Sequence, residues 1–547
     1  MIPVWWLTNR EGIDSHGPWD TAILDQLFDG GLWPVHFDTV HHRNVSEVFE
    51  APFGIVIVPA RHHCRPEDVE WLNGEIAKLE SVILFLVGDE EGEFPWQEIR
   101  HDCIRFWVQM PDPSHYGDMA HFGRFFGNGV PHPTRSAIGA RMAQDGSRGS
   151  EWAFAGQVTN KRRKRAANGL RKARPKGNLL ATRGFGEGLD PGGYAEALCD
   201  AWVLPCPGGP KHVDTFRMYE ALESCGVPIL DCTDGGNEYW DLLDPAWDRS
   251  LVGCYDWDTV GGLIEDILAE RHMRAARAAA WWQQRKRWMV QRLETDITDL
   301  SGIEIVKPAV TALVTTSPVP SNPSLDMIIE TIASIPDGWD VIVACDGVRP
   351  EQSERRAAYG EFLYNLVVWC EHHNRNIVPV ISPEWLHQTG LTRLALNHID
   401  TPVLLFMEHD TPLVTDEPID WDGCVGLVAQ GHLDVLRFHH EAHVLPDHER
   451  LMVDFATRAM FGVPVRRTHQ WSQRPHLIRA DYLRLVLAWE FSPNARCFIE
   501  DKMHSVCQGQ PYDKNRLAIY HPEGNIKRSY HIDGRGQERK FEESQVF

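Results

Sequence analysis

The stretch LLFMEHDTPLV, residues 404–414, runs an apolar strand into two carboxylates one residue apart, Glu408 and Asp410. Acids at a strand end ordinarily make a solvated turn or a cap. At the carboxyl end of a parallel sheet, the same residues are oxygen ligands for a hard divalent cation, Mg2+ or Mn2+. Side chains alternate along an extended strand, so Glu408 and Asp410 can serve one site only if the chain bends at His409.

Other polar residues recur where strands of the same region end. VTALVTT ends in Thr315 and Thr316, and DVIVACDGV ends in Asp346 and Gly347. The helix in TGLTRLALNHI carries Arg393 and Asn397; Glu500 and Asp501 follow a short apolar run in RCFIEDKMHSV, and SYHIDGR supplies His531. This series resembles the GT-A fold glycosyltransferases, in particular the large inverting family, over most of residues 308–535. The family pattern is a strand ending in an Asp, a helix with Gly and Asn, a strand ending in Asp-x-Asp, and an acidic pair further on. Glu-His-Asp replaces Asp-x-Asp here, and ACDGV replaces the usual two acids of the second strand. The resemblance implies sugar transfer from a nucleotide sugar to a hydroxyl, by a single in-line displacement that a metal and a general base assist. Asp410 would hold the metal and Glu408 the metal or a ribose. His531 would be a third ligand or touch the diphosphate. Asp346 would hold the nucleobase, with Thr315, Arg393 and Asn397 about the nucleotide, and Asp501 or Glu500 would take the acceptor proton. Trp471 in HQWSQRPH either stacks on an acceptor or packs in the core. The run Arg437–Glu441 offers no set of four zinc ligands.

A second constellation lies in CPGGPKHVDTFRMYEALESCGVPILDC, residues 206–232. It reads as a Gly-rich loop, an amphipathic helix and a buried strand. A helix start with nearby amides and an Arg receives phosphate, and a Glu one turn on accepts hydroxyls. The stretch resembles the nucleotide-binding half of GT-B fold transferases, closest to the exostosin-like family. The resemblance implies nucleotide-sugar contacts from Asp214, Thr215, Arg217 and Glu220, without a metal. WAFAGQVTNKRRKRAANGLRKARPK, residues 152–176, fits the first strand and helix of that half, with Gly156 at the turn. Arg162, Arg163 and Lys164 follow, with Arg162 and Lys164 taken as the phosphate contacts. A solvated helix face is the ordinary alternative for such a charge run, and a local nucleic-acid patch is a third. The glycines of GFGEG, 184–188, make no dinucleotide fingerprint. GDEEGEFPW, 88–96, puts Asp89 at a strand end, as a base facing an acceptor or as a solvated loop acid.

The elements that must position these residues alternate strand and helix along the whole chain, which predicts an α/β protein of right-handed crossovers and parallel sheets. Three regions are expected: 1–140 and 141–300 as the two Rossmann-like domains of a GT-B unit, and 308–547 as a GT-A domain. The order matches that of exostosins. The 547 residues exceed what one core supports. A net charge of −23 argues against a protein that coats nucleic acid or anionic membrane, though not against a local basic site. Twelve Cys without a C-x-x-C pair suit a reducing compartment, and no signal peptide or membrane span is evident. The sequence thus reads as a soluble cytoplasmic transferase, of bacterial or virus-infected host cytoplasm, that uses Mn2+ or Mg2+. Its acceptor would be a glycan, a protein or hydroxylated bases in DNA, as for virus-encoded DNA glucosyltransferases. A sugar- or nucleic-acid-binding protein with decayed sites is the non-enzymatic alternative. The retention of Asp346, Asp410, Glu500, Asp501, Arg217 and Glu220 speaks against decay.

Overall fold

A computed structural model describes residues 2–7, 22–24, 27–28, 37–42 and 52–532, apart from 145–146, 185–186, 304, 306–308, 374–375, 442 and 523–525. Ala22–Leu24 and Leu27–Phe28 are helical and buried. Phe185 and Gly186 of GFGEG and the residues beyond Ile532 fall outside the described residues.

The chain divides into two units, Met1–Ile305 and Val306–Phe547. The first unit holds two parallel sheets. One has six strands, β1 (Ile2–Leu7), β2 (Phe37–His42), β3 (Phe53–Pro59), β4 (Ser81–Val87), β5 (Ile104–Gln109) and β6 (Arg124–Phe126), in the order β2-β1-β3-β4-β5-β6. Every residue of β3 and β4 is buried, as parallel strands covered on both faces require. The other sheet has five strands, β7 (Ser150–Gln157), β8 (Asn178–Thr182), β9 (Ala201–Cys206), β10 (Val227–Asp231) and β11 (Val252–Cys254), in the order β11-β10-β9-β7-β8. After β11 the chain forms two helices, Val260–Ala269 and Arg271–Ser301. The longer one returns to the first sheet, where buried Asp296 accepts from Trp107 Nε1 at 3.0 Å and Arg124 Nη2 at 3.2 Å.

The second unit is one nine-stranded sheet. Its strands are β12 (Val310–Thr316), β13 (Asp340–Cys345), β14 (Ile377–Ile381), β15 (Val403–Glu408), β16 (Val435–Phe438), β17 (Arg458–Met460), β18 (Val463–Thr468), β19 (His476–Arg479) and β20 (Leu517–Tyr520). The order is β14-β13-β12-β15-β19-β16-β20-β18-β17. The first four are parallel, but β19 pairs antiparallel with β15 and β16, and β18 with β20. The expectation of parallel sheets throughout is therefore corrected for this half. β18 shows why. Its sequence VPVRRT breaks after three apolar residues into Arg466, Arg467 and Thr468 rather than forming a continuous apolar run, and suits a sheet partly facing solvent. No helix among the described residues is long and apolar enough to cross a membrane.

Candidate functional site

In the second unit a cavity of 310 Å3 opens beyond the carboxyl ends of β12, β13 and β15, the place where ligands of such sheets bind. Thr315, Asp346, Glu408, His409 and Asp410 all line it. β15 ends at Glu408 and the chain turns at His409–Asp410, so both carboxylates reach the same space despite strand alternation. Thr411 fixes this turn: its Oγ1 donates to the Glu408 carbonyl at 3.0 Å and accepts from the Glu408 amide at 3.1 Å. His531 Nε2 stands 3.2 Å from Asp410 Oδ2.

The acids crowd one another. Burial, Asp410 and Glu500 push Glu408 up to about 8, and Gln388 Nε2 donates to its Oε1 at 3.1 Å. Gln388 Oε1 accepts in turn from the Ile499 amide at 2.9 Å, which ties the cavity wall to the helix Ile499–Gly509. That helix carries Glu500 and Asp501 in its first turn. Glu500 Oε2 accepts from the Gln473 amide at 3.0 Å, and Asp501 is exposed, its charge felt at cavity-lining His387. Neither acid lines the cavity itself, whereas the neighbouring Phe498 does.

Among the described residues no group of three or more His, Cys, Asp or Glu is arranged to hold a metal. Asp410 and His531 do stand together, with the Glu408 carboxyl close enough to Asp410 to be raised by it. One or two protein carboxylates completed by substrate phosphates and water is the ordinary way to hold Mg2+, and the imidazole suits Mn2+ better.

Other expected residues lie elsewhere. The Asp346 carboxylate is buried and spent on backbone amides, accepting from Gly347, Leu386 and His387 at 2.9, 2.7 and 2.9 Å. It shapes the cavity floor, with burial raising its pKa. Arg393 is not at the cavity: its guanidinium donates to the carbonyls of Leu487, Phe491 and Pro493 and staples two segments. Asn397 is an exposed helix C-cap away from the cavity. Trp471 is 2% exposed within the hydrophobic core, so no face is open for stacking on an acceptor. Sequence reasoning missed Arg349, Trp385, His387 and Gln388, all in the lining. Arg349 and Arg496 stand over the Trp385 ring at 4.9 and 5.4 Å. The Pro and Trp of SPEWLH marked a structured loop after β14, the one signal available.

The first unit has a cavity of 540 Å3 with a largely apolar wall that also carries two guanidiniums and two carboxyl groups. Gly156, Arg163, Tyr194, Arg217 and Glu220 line it. Arg217 is buried with its Nε and Nη1 unpartnered, its guanidinium 5.4 Å from the Phe154 ring and 5.3 Å from the Phe216 ring. A Cβ at position 156 would come within 1.9 Å of Arg217 Nη2, which is why glycine stands there. Burial and the adjacent Arg217 lower Arg163 to about 10. Two buried guanidiniums side by side are an anion site. Glu220 accepts from Tyr194 Oη at 2.6 Å, and burial pushes its carboxyl up to about 7.

Here too some expectations move. Arg163, not Arg162 or Lys164, enters the cavity, because helix phase turns successive residues about 100° apart. Arg162 reaches the Thr233 carbonyl at 3.4 Å, and Lys164 is exposed on the outer face. Asp214 does not line the cavity; Tyr219, Tyr239 and the Asn128 amide donate to its Oδ2. Thr215 is buried before the helix Phe216–Glu223 and does not line the cavity either. Asp89 is 2% exposed and accepts from the amides of Glu93 and Phe94 and from Tyr116 Oη, which makes it a loop brace rather than an exposed base.

No family model matches the chain, and no curated protein matches it. Solved structures do, distantly. TarS of S. aureus, residues 1–349, matches with 13% identity and a TM-score of 0.28, over 41% of this chain and 60% of that one. Its complex with UDP-GlcNAc matches with 12% identity and a TM-score of 0.27, over 42% and 60%. A UDP-glucose pyrophosphorylase complexed with UDP-glucose matches with 10% identity and a TM-score of 0.26, over 41% and 93%. This chain thus spans less than two thirds of TarS 1–349. Likenesses this distant leave the function to be read from the site itself.

Proposed function

We propose that the chain is a glycosyltransferase that moves a sugar from a nucleotide-sugar donor to a hydroxyl acceptor, with the donor in the cavity of the second unit. The observation that carries this reading is the gathering of Thr315, Asp346, Glu408 and Asp410 from three parallel strand ends, with His531 beside Asp410. Asp410 and His531 would hold Mn2+ or Mg2+, which supplies countercharge for the departing diphosphate. Thr315 and the floor shaped by Asp346 bound the nucleotide, and Glu408, held by Gln388, presents a protonated carboxyl to a ribose hydroxyl. Asp501, exposed in the first turn of its helix, takes the acceptor proton. The acceptor oxygen then bonds to the anomeric carbon as the bond to phosphate breaks, and the nucleoside diphosphate leaves with the electron pair.

The first unit's cavity would hold a second nucleotide sugar, its diphosphate on Arg163 and Arg217 and its ribose near Glu220. The test is release of nucleoside diphosphate from a panel of sugar nucleotides with Mn2+. Release from at least one, abolished by chelation, is expected; release from none overturns the reading.

A further inference from the structure

Residues 161–176 hold nine Lys and Arg and no Asp or Glu, in a chain of net charge −23. Most of this run is the helix Lys161–Lys172, capped by Asn160, whose side chain accepts from the Arg163 amide at 2.9 Å. At about 100° per residue, Lys161, Lys164, Arg165, Arg171 and Lys172 fall within one sector of roughly 120°. All five are exposed. Arg163 points the other way, into the 540 Å3 cavity. The inner side is held close to the domain by small residues: a Cβ on Gly169 would lie 1.8 Å from the Trp257 carbonyl oxygen.

The outer sector has little to balance it. Lys172 meets Asp258 at 3.3 Å with both side chains mostly exposed, a weak pairing, and Arg171 Nη1 donates to the Asn168 amide oxygen at 2.8 Å. The first turn carries Lys161, Arg162, Arg163 and Lys164 and no acid. Cations at a helix N-terminus oppose the helix dipole, so local stability argues against this sequence. Local conflicts of this kind mark functional surfaces. Arg174 and Lys176, both exposed, extend the charge past the helix end.

We propose that this helix face docks the sugar-phosphate backbone of duplex DNA. A row of cations about 18 Å long matches closely spaced phosphates. The run 161–176 contains no aromatic residue, so it lacks the stacking platforms that single strands use. Contacts confined to phosphates bind without regard to sequence.

The test is fluorescence anisotropy of the full chain with a labelled duplex between 50 and 200 mM NaCl. Five phosphate contacts predict a log–log salt slope of about −4 to −5. The triple variant Lys161→Glu, Arg165→Glu, Lys172→Glu should weaken binding at 50 mM at least about a hundredfold, with its thermal midpoint and its stabilisation by sugar nucleotides unchanged. If it fails to fold, Lys161→Gln, Arg165→Gln, Lys172→Gln should lower affinity and flatten the slope. Duplex affinity untouched by these changes, or no duplex binding at 50 mM, overturns the proposal. So does tighter binding to single-stranded RNA, or to vesicles of anionic phospholipid. Duplex binding without any sugar-nucleotide stabilisation would leave the docking intact and remove the transferase reading instead.

Discussion

Under the proposed function the two cavities would meet one chemical problem, a diphosphate, with different charged groups. The cavity of the second unit gathers Asp346, Glu408 and Asp410 with Arg349 and His387, and under the proposed function Asp410 and His531 would hold a cation against the diphosphate. The cavity of the first unit sets Arg163 and Arg217 beside Glu187 and Glu220 in a largely apolar wall, and in the proposed function the two guanidiniums would take the place of a metal. The difference follows from the elements used. Turns at parallel strand ends carry the acids, while a glycine turn and two helices bring the guanidiniums to the other cavity. Chelators should therefore separate the two sites.

The largest expected effect is at Asp410. Asp410→Ala should lower metal-dependent release of nucleoside diphosphate by about 10²–10³-fold, as loss of a group that stabilises developing charge does. Initial rates with and without Mn2+ check this, and full activity would remove the metal assignment. Next comes Arg217→Ala, which takes away a charge-assisted contact worth about 1.5–3 kcal/mol, or roughly 10–100-fold in donor affinity at the first unit. Titration in the presence of EDTA isolates that site. Gly156→Ala should act in the same direction, roughly tenfold, because the new methyl displaces Arg217 rather than deleting it.

A further effect is in pH dependence, and in the first unit Asp214 contributes to it. Burial pushes Asp214 up to about 7. A carboxyl raised on folding stabilises fully below its unfolded value, near 3.8, and loses that contribution as pH rises toward 7. Thermal midpoints measured from pH 4 to pH 7.5 should fall across this window, and Asp214→Asn should reduce the slope. An unchanged slope would mean that Asp214 is ionised in the folded chain.

What was legible in the sequence follows the same division. Runs such as FGIVIVPA and VTALVTT lack charged residues because both faces of a parallel strand are covered, so the strand ends, and with them Thr315, Asp346, Glu408 and Asp410, could be read directly. Helix phase could not be read. Which of Arg162, Arg163 and Lys164 enters a cavity depends on what the helix packs against, and sequence spacing alone pointed to the wrong two. Arg393 and Trp471 misled for a related reason. A polar or aromatic side chain near a site is as often claimed by backbone carbonyls or by the core, and both were. Tyr194 and Trp385 were invisible because loops and helix starts distant in sequence bring them to the cavities.

The most direct test is calorimetric titration of the whole chain with a sugar nucleotide that it binds, in Mn2+ and in EDTA. Two classes of site are predicted. One disappears in EDTA and in Asp410→Ala; the other persists in EDTA and weakens in Arg217→Ala. A single class of site, abolished alike by chelation and by either substitution, would contradict the account.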